Sequence, residues 1–192
     1  MNLPNKLTVG RFFLTMIFLA FASVPDTVSS HLIFWRVGFI IGIIGGWTDF
    51  FDGYIARKYN LVTDFGKLMD PLTDKIFTVT AFVVMTENEV VPGWITVLIL
   101  TREFAVTGLR TMAANKGVVL AASQLGKIKT VVQMVSLILG GAIWVKWTPG
   151  LKETPWLANT WYVILGGIVI VTFWSGIEYF VKGRSLYLDK MS

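Results

Sequence analysis

An all-α membrane protein, folded as a six-transmembrane-helix bundle with a short amphipathic N-terminal segment, is the architecture this sequence predicts. Three observations predict it. The 192 residues are 54% hydrophobic and only 15% charged, whereas a soluble domain carries about 25% charged residues. The mean hydropathy is +0.65. The apolar residues also gather into six runs near spanning length, with no polar stretch long enough for a separate soluble domain. One membrane domain over residues 1–192 is therefore expected.

Taken in order, the runs cover residues 7–24, 32–56, 70–85, 90–114, 125–145 and 157–181. The first follows Pro4-Asn5-Lys6 and contains Arg11. With Ala20-Phe21-Ala22 it imitates a signal peptide, but Arg11 inside the run argues against cleavage. The second is apolar from Val37 to Trp47 and turns polar at Asp49; the third begins polar at Asp70 and turns apolar after Ile76. A short polar stretch, Arg57 to Gly66, joins them, so their polar ends meet on one side of the membrane. Pro71 disfavours helix in the residue before it, which suggests that Asp70 caps the third helix with Pro71 in its first turn. The fourth run holds Arg102 and Glu103 near its middle, where ion pairing with Glu178 or another partner across the bundle is expected. Gly38-x-x-x-Gly42-x-x-x-Gly46, Gly140-Gly141 and Gly166-Gly167 fit close helix packing. Trp35, Trp147 and Trp156 fit anchors at the membrane interface, and His31 falls at the far membrane face.

Basic residues assign the sides. Of 17 lysines and arginines, 12 fall near the N-terminus, the 57–69 and 115–124 loops and the C-terminus, counting their flanking helix ends. Only Arg36, Lys146 and Lys152 fall at the opposite ends. Lysine and arginine concentrate on the cytoplasmic side, so both termini and the polar ends of runs two and three face the cytosol. The net charge of +5 is explained by this topology and by anionic lipid, and calls for no nucleic acid. There are no cysteines and one histidine, so a metal would be held by oxygen ligands, which suit hard ions such as magnesium or manganese.

Four aspartates stand at fixed offsets: Asp49-x-x-Asp52-Gly53-x-x-Ala56-Arg57, then Gly66-x-x-x-Asp70-x-x-x-Asp74. Residues three and four apart share a helix face, so each set forms a stripe. Four carboxylates facing one another would be forced to take up protons. Two divalent cations remove that repulsion and suit phosphoryl transfer. Small residues at 53 and 56 would let a nucleotide approach the backbone, and the fork of Arg57 suits a phosphate. Read without a ligand, the same aspartates would be helix caps and surface charges. The added glycines, alanine and arginine at fixed offsets argue against that.

At these residues the sequence resembles the CDP-alcohol phosphotransferase family, whose motif D-x-x-D-G-x-x-A-R…G-x-x-x-D-x-x-x-D is filled at every position. Further stretches resemble the branch of that family whose acceptor is glycerol 3-phosphate: Asn2-Leu-Pro4-Asn5-Lys-Leu-Thr8-x-x-Arg11, Leu68-Met-Asp70-Pro71-x-x-Asp74-Lys75, and Arg102-Glu103-x-x-x-x-Gly108-x-Arg110 with Gly126-Lys127-x-Lys129-Thr130. The resemblance implies a six-helix bundle that forms a homodimer in the plasma membrane, with its active site facing the cytoplasm. It implies transfer of the phosphatidyl group of CDP-diacylglycerol to glycerol 3-phosphate. Asp49, Asp52, Asp70 and Asp74 would hold two Mg2+ or Mn2+ ions, with Asp74 also the general base. Asp52, Gly53, Ala56 and Arg57, with Asn5 and Thr8, would contact the CDP-lipid. The acceptor carries its own phosphate, for which Arg110, Lys127 and Lys129 near the cytosolic end are the candidates; membrane topology alone also places basic residues there. The rivals are another acceptor in the same family, inositol phosphate or serine, and a divalent-cation transporter. A transporter would place its carboxylates near the bilayer midplane and show inverted repeats.

Overall fold

The computed structural model describes residues 3–58, 64–118, 120, 123–148 and 150–184, with the side chains at 3–8, 47–58, 64–71 and 74 outside the description. These residues form six helices and no strand: α1 (Leu3–Ala22), α2 (His31–Lys58), α3 (Asp64–Glu87), α4 (Gly93–Asn115), α5 (Gln124–Trp144) and α6 (Pro155–Lys182). α5 and α6 are long and apolar enough to cross a membrane, while 9–22 and 31–46 are shorter apolar helical stretches. The outer surface is apolar: Val163, Trp156, Ile33 and Trp94 are each more than 60% exposed. Large apolar side chains exposed in such number suit contact with lipid or protein rather than water.

Two boundaries differ from those read in the sequence. The N-terminal segment is no separate element, because α1 runs unbroken from Leu3. Proline is tolerated in a helix's first turn, so Pro4 does not delay the start. α3 begins at Asp64, two turns before the expected start, and passes through Pro71. Proline there removes one backbone hydrogen bond, but its effect on the preceding residue is a bias, and an acidic residue at the first helical position is favoured by the helix dipole.

The helices form two units: residues 1–90 with 141–148, and residues 91–140 with 149–192. In the first, α1 packs against both α2 and α3. The glycine stripe on α2 sets the approach. A methyl group built on Gly38 would lie 3.0 Å from Phe21 Cβ, and one on Gly42 would lie 3.4 Å from the Phe18 ring and 3.6 Å from Phe77. Phe18 also packs edge-on against Trp144, with centroids 6.1 Å apart, and Trp35 lies on the same indole. Trp35 is buried and donates to Val24 O at 2.9 Å; it is a core residue, unlike the exposed Trp147 and Trp156. Its amphipathic ring was read as an anchor, but loop 23–30 brings a carbonyl to its N–H. His31, the first residue of α2, holds Val28 O through Nδ1 at 2.8 Å and stacks edge-on with Trp35.

In the second unit α4 packs against α6 around Ile95, Ile99, Val106, Trp161, Leu165 and Ile168. Some buried hydroxyls bond along their own helices, as when Ser136 donates to Val132 O at 2.7 Å and Ser175 to Thr172 O at 3.1 Å. Such back-bonding supplies partners where water is scarce.

The glycine pairs divide. A methyl group on Gly141 would lie 2.6 Å from Phe39 Cδ2, 2.8 Å from Cζ and closer still to Cε2, whereas Gly166 and Gly167 would meet nothing within 4 Å. The packing reading thus holds for Gly141 and fails for Gly166-Gly167, which face away from the described residues. Phe39 is buried and held edge-on by Trp147, so it cannot swing aside freely. Gly141→Ala is expected to cost about 1–3 kcal/mol by overpacking, and Gly166→Ala less than about 1 kcal/mol in either direction. Thermal melting in detergent compares them, and equal melting temperatures would contradict the tight approach.

Candidate active site

The aspartates sit on adjoining ends of consecutive helices. Asp49 and Asp52, with Gly53, Ala56 and Arg57, lie in the last three turns of α2; Asp70 and Asp74, with Gly66, lie in the first three turns of α3. Their side chains fall outside the described residues, so the levels of their backbones carry the argument.

Those levels follow from the packing. Gly38 meets Phe21 and Gly42 meets Phe18, so residue numbers rise along α2 as they fall along α1, and the two helices run antiparallel. Seven residues beyond Gly42 is Asp49, and seven before Phe18 is Arg11, each about 10 Å along its helix. Three residues further on, Asp52 is level with Thr8. Phe77 of α3 lies at the Gly42–Phe18 contact, its ring 6.0 Å from that of Phe18. The five residues that join Lys58 to Asp64 reach at most about 22 Å. An α3 running the other way would leave a gap of about 43 Å. α3 therefore starts at the same end, and Asp70, seven residues before Phe77, shares the level of Asp49 and Arg11.

Thus the backbones at Asp49, Asp52, Asp70, Thr8 and Arg11 gather at one end of the three helices, Asp74 one turn nearer the middle. Asn5 lies a further turn toward the N-terminus of α1. Arg11 is a residue the motif did not mark as functional. It is 3% exposed, and burying a guanidinium requires partners. The signal was present in the sequence: a cation three residues after Thr8 inside an apolar run.

The donor chemistry of this end fits a hard divalent ion. The chain has no cysteine, and the one histidine, engaged with Val28 and Trp35, begins α2 about 27 Å along the helix from Asp49. Only oxygen ligands are on hand there. Among the described residues no three His, Asp or Glu side chains converge elsewhere.

The three acceptor candidates lie in the second unit and differ. Arg110 on α4 and Lys127 on α5 are exposed. Lys129 is 6% exposed, and its Nζ is ion-paired with Glu103 Oε1. Glu103 also accepts from Arg102 Nη1 at 3.2 Å, while Arg102 Nε donates to Ser175 Oγ at 3.2 Å and the guanidinium lies over the Tyr179 ring at 5.4 Å. The expected partner across the bundle is therefore supplied by α5 and α6. Glu178 instead salt-bridges Lys182 at 2.5 Å: four residues apart on one helix, the two meet without crossing the bundle.

Aspartates on paired helix ends of an apolar helical protein are the donor set that a metal-assisted phosphotransferase acting on lipid would use. The comparisons give the family. Residues 1–174 match the model of CDP-alcohol phosphatidyltransferases, and the chain belongs to that family. It is similar to the CDP-diacylglycerol–glycerol-3-phosphate 3-phosphatidyltransferase of Bacillus subtilis (strain 168), 42% identical over 147 residues, covering 71% of this chain and 74% of the relative. The proteins of the same name from Rickettsia typhi and Salmonella paratyphi A are 39% and 32% identical, the first covering 71% of this chain and 74% of the relative and the second 98% of each. Members of the family generally depend on divalent cations.

The Glu103 carboxylate neutralises two buried cations. Glu103→Leu leaves Arg102 and Lys129 facing each other and is expected to cost about 3–5 kcal/mol, while Lys129→Met leaves Glu103 paired with Arg102 and costs less. The double variant Glu103→Leu, Lys129→Met should recover part of the loss in denaturation experiments; strictly additive losses would show that the pair is not coupled.

Proposed function

We propose that this chain is a six-span enzyme of the plasma membrane, a single domain and a homodimer, that transfers the phosphatidyl group of CDP-diacylglycerol to glycerol 3-phosphate at its cytosolic face. The observation that carries the reading is the convergence of two aspartate-bearing helix ends, level with Thr8 and Arg11, in a chain that closely resembles relatives of that name. The acceptor hydroxyl attacks the lipid-side phosphorus and gives its proton to Asp74. The bond from that phosphorus to the oxygen of CMP breaks, and CMP leaves with the electron pair. Phosphatidylglycerophosphate remains in the bilayer. A base must lie within hydrogen-bond reach of the attacking hydroxyl, and Asp74 lies one helical turn above Asp70.

Asp49, Asp52, Asp70 and Asp74 would hold two divalent cations, Mg2+ or Mn2+, which when bound offset charge on the phosphate under attack and on the leaving group. Gly53 and Ala56 leave room for the nucleotide, Arg57 offers a fork to its phosphate, and Asn5 and Thr8 add polar contacts from α1. Arg110 and Lys127 bind the acceptor's phosphate. Lys129, whose ammonium is engaged by Glu103, contributes positive potential at short range rather than a free hydrogen-bond donor.

Purified protein with CDP-diacylglycerol and magnesium or manganese should release CMP on addition of glycerol 3-phosphate and stay silent with inositol 1-phosphate or serine. Release with inositol phosphate alone would refute the acceptor assignment. Asp74→Asn should lower turnover by at least about 100-fold, within the range general-base catalysis contributes, while CDP-lipid binding persists; near-normal turnover would remove Asp74 as the base.

The absence of native cysteines gives a clean background for the topology. Single cysteines at Lys116 and Lys182 should react with an impermeant maleimide only when the cytosolic face is open, and one at Lys152 from outside intact cells. Labelling of all three from one side would overturn the six-span arrangement.

A further inference from the structure

The first turns of α5 carry Lys127, and the structure holds them in an uncommon way. Ser123, 3% exposed, precedes the helix. Its Oγ accepts from Gly126 N at 3.0 Å, an N-cap bond that satisfies an otherwise orphaned amide. Its own backbone N–H donates at 3.3 Å to the hydroxyl of Tyr179 on α6. That hydroxyl presses close to the same turn: a methyl group on Gly126 would lie 3.3 Å from Tyr179 Oη and 3.4 Å from Cε2. Tyr179 is 4% exposed, and its ring receives the Arg102 guanidinium of α4. One phenol thus bonds the cap residue Ser123 and lies against Gly126, the residue directly before Lys127. One turn further on, Lys129 ties α5 to Glu103. Lys127 is left exposed between these anchors.

A lysine is a point charge on a flexible stem. Its value to a phosphate depends on where its backbone holds it, because ordering a long side chain costs conformational entropy. The hydroxyl of Tyr179 removes one source of that disorder by fixing the turn. We infer that Tyr179 is a positioning residue for the acceptor's phosphate, acting through the Ser123 cap to place Lys127. The inference rests on the reading of Lys127 as an acceptor-phosphate residue given above. It adds a polar function to a tyrosine whose burial alone suggests packing.

Tyr179→Phe tests it, since the variant keeps the ring over Arg102 and loses only the oxygen. Loss of one such hydrogen bond should raise KM for glycerol 3-phosphate about three- to tenfold, with kcat within about twofold and KM for CDP-diacylglycerol unchanged. Ser123→Ala should show the same split, and Ser123→Thr, which keeps the capping oxygen, should restore a near-native KM. Lys127→Ala should raise the same KM, and adding Tyr179→Phe to it should raise it no further. Equal effects on both substrates' KM values, or full additivity with Lys127→Ala, would overturn the inference and leave Tyr179 as packing. An unchanged KM for glycerol 3-phosphate in Tyr179→Phe would also overturn it while the proposed activity stands. Absence of CMP release from the unsubstituted protein with that acceptor would instead remove the function, and the inference with it.

Discussion

The register between α1 and α2 is the constraint on which the candidate site depends. It is set where Gly38 and Gly42 let the backbone of α2 come against Phe21 and Phe18. Small residues allow such approach, and without a hydrophobic drive between helices in lipid, close packing is what holds them. Slip the register by one turn and Thr8 and Arg11 move about 5 Å from the level of Asp52 and Asp49. Phe18 matters for the same reason. It touches Gly42, Phe77 and Trp144 together, so one side chain fixes the level of α3 as well as that of α2. A third helix, bearing no acid, thus sets the levels at which the two aspartate-bearing helices stand.

The second unit solves a different problem. It buries charge, and charge in an apolar surround survives only when paired and hydrogen-bonded. Glu103 takes both Arg102 and Lys129, Ser175 takes another edge of Arg102, and the Tyr179 ring lies beneath the guanidinium. Each helix of the unit contributes to this layer, which therefore fixes their mutual rotation as a purely apolar contact would not. A single a-position polar residue does the same for a coiled coil.

Much of this was legible in the sequence. The six helices follow from the hydrophobic runs and the polar stretches between them. The aspartate stripes follow from spacing alone, because backbone hydrogen bonding imposes the helical period on any residue type. What the sequence could not give were partners set by tertiary contact. Nothing local distinguishes Lys127 from Lys129, two residues apart on one helix, yet one is exposed and the other buried against Glu103. Gly141 and Gly166 likewise read alike as glycine pairs, and only the position of Phe39 separates them. α3 starts earlier than its hydrophobic run because the bias Pro71 places on the residue before it is weaker than a helix boundary.

The apolar exterior and the polar layers together limit how such a protein can act. On the proposed reading, a lipid donor and a phosphorylated acceptor would have to reach the aspartates from different surroundings, the one from the bilayer and the other from water. The basic residues of the second unit are not all available to an anion, because Glu103 claims Arg102 and Lys129. Lys129 illustrates the division: its charge completes the pairing of Glu103, which leaves exposed Lys127 and Arg110 to meet an anion. One helical turn thus carries a lysine buried in an ion pair and an exposed one, the latter being the cation that the proposed reading assigns to the acceptor. The rotation of α5, anchored by Ser123 and Tyr179, decides which lysine takes which part.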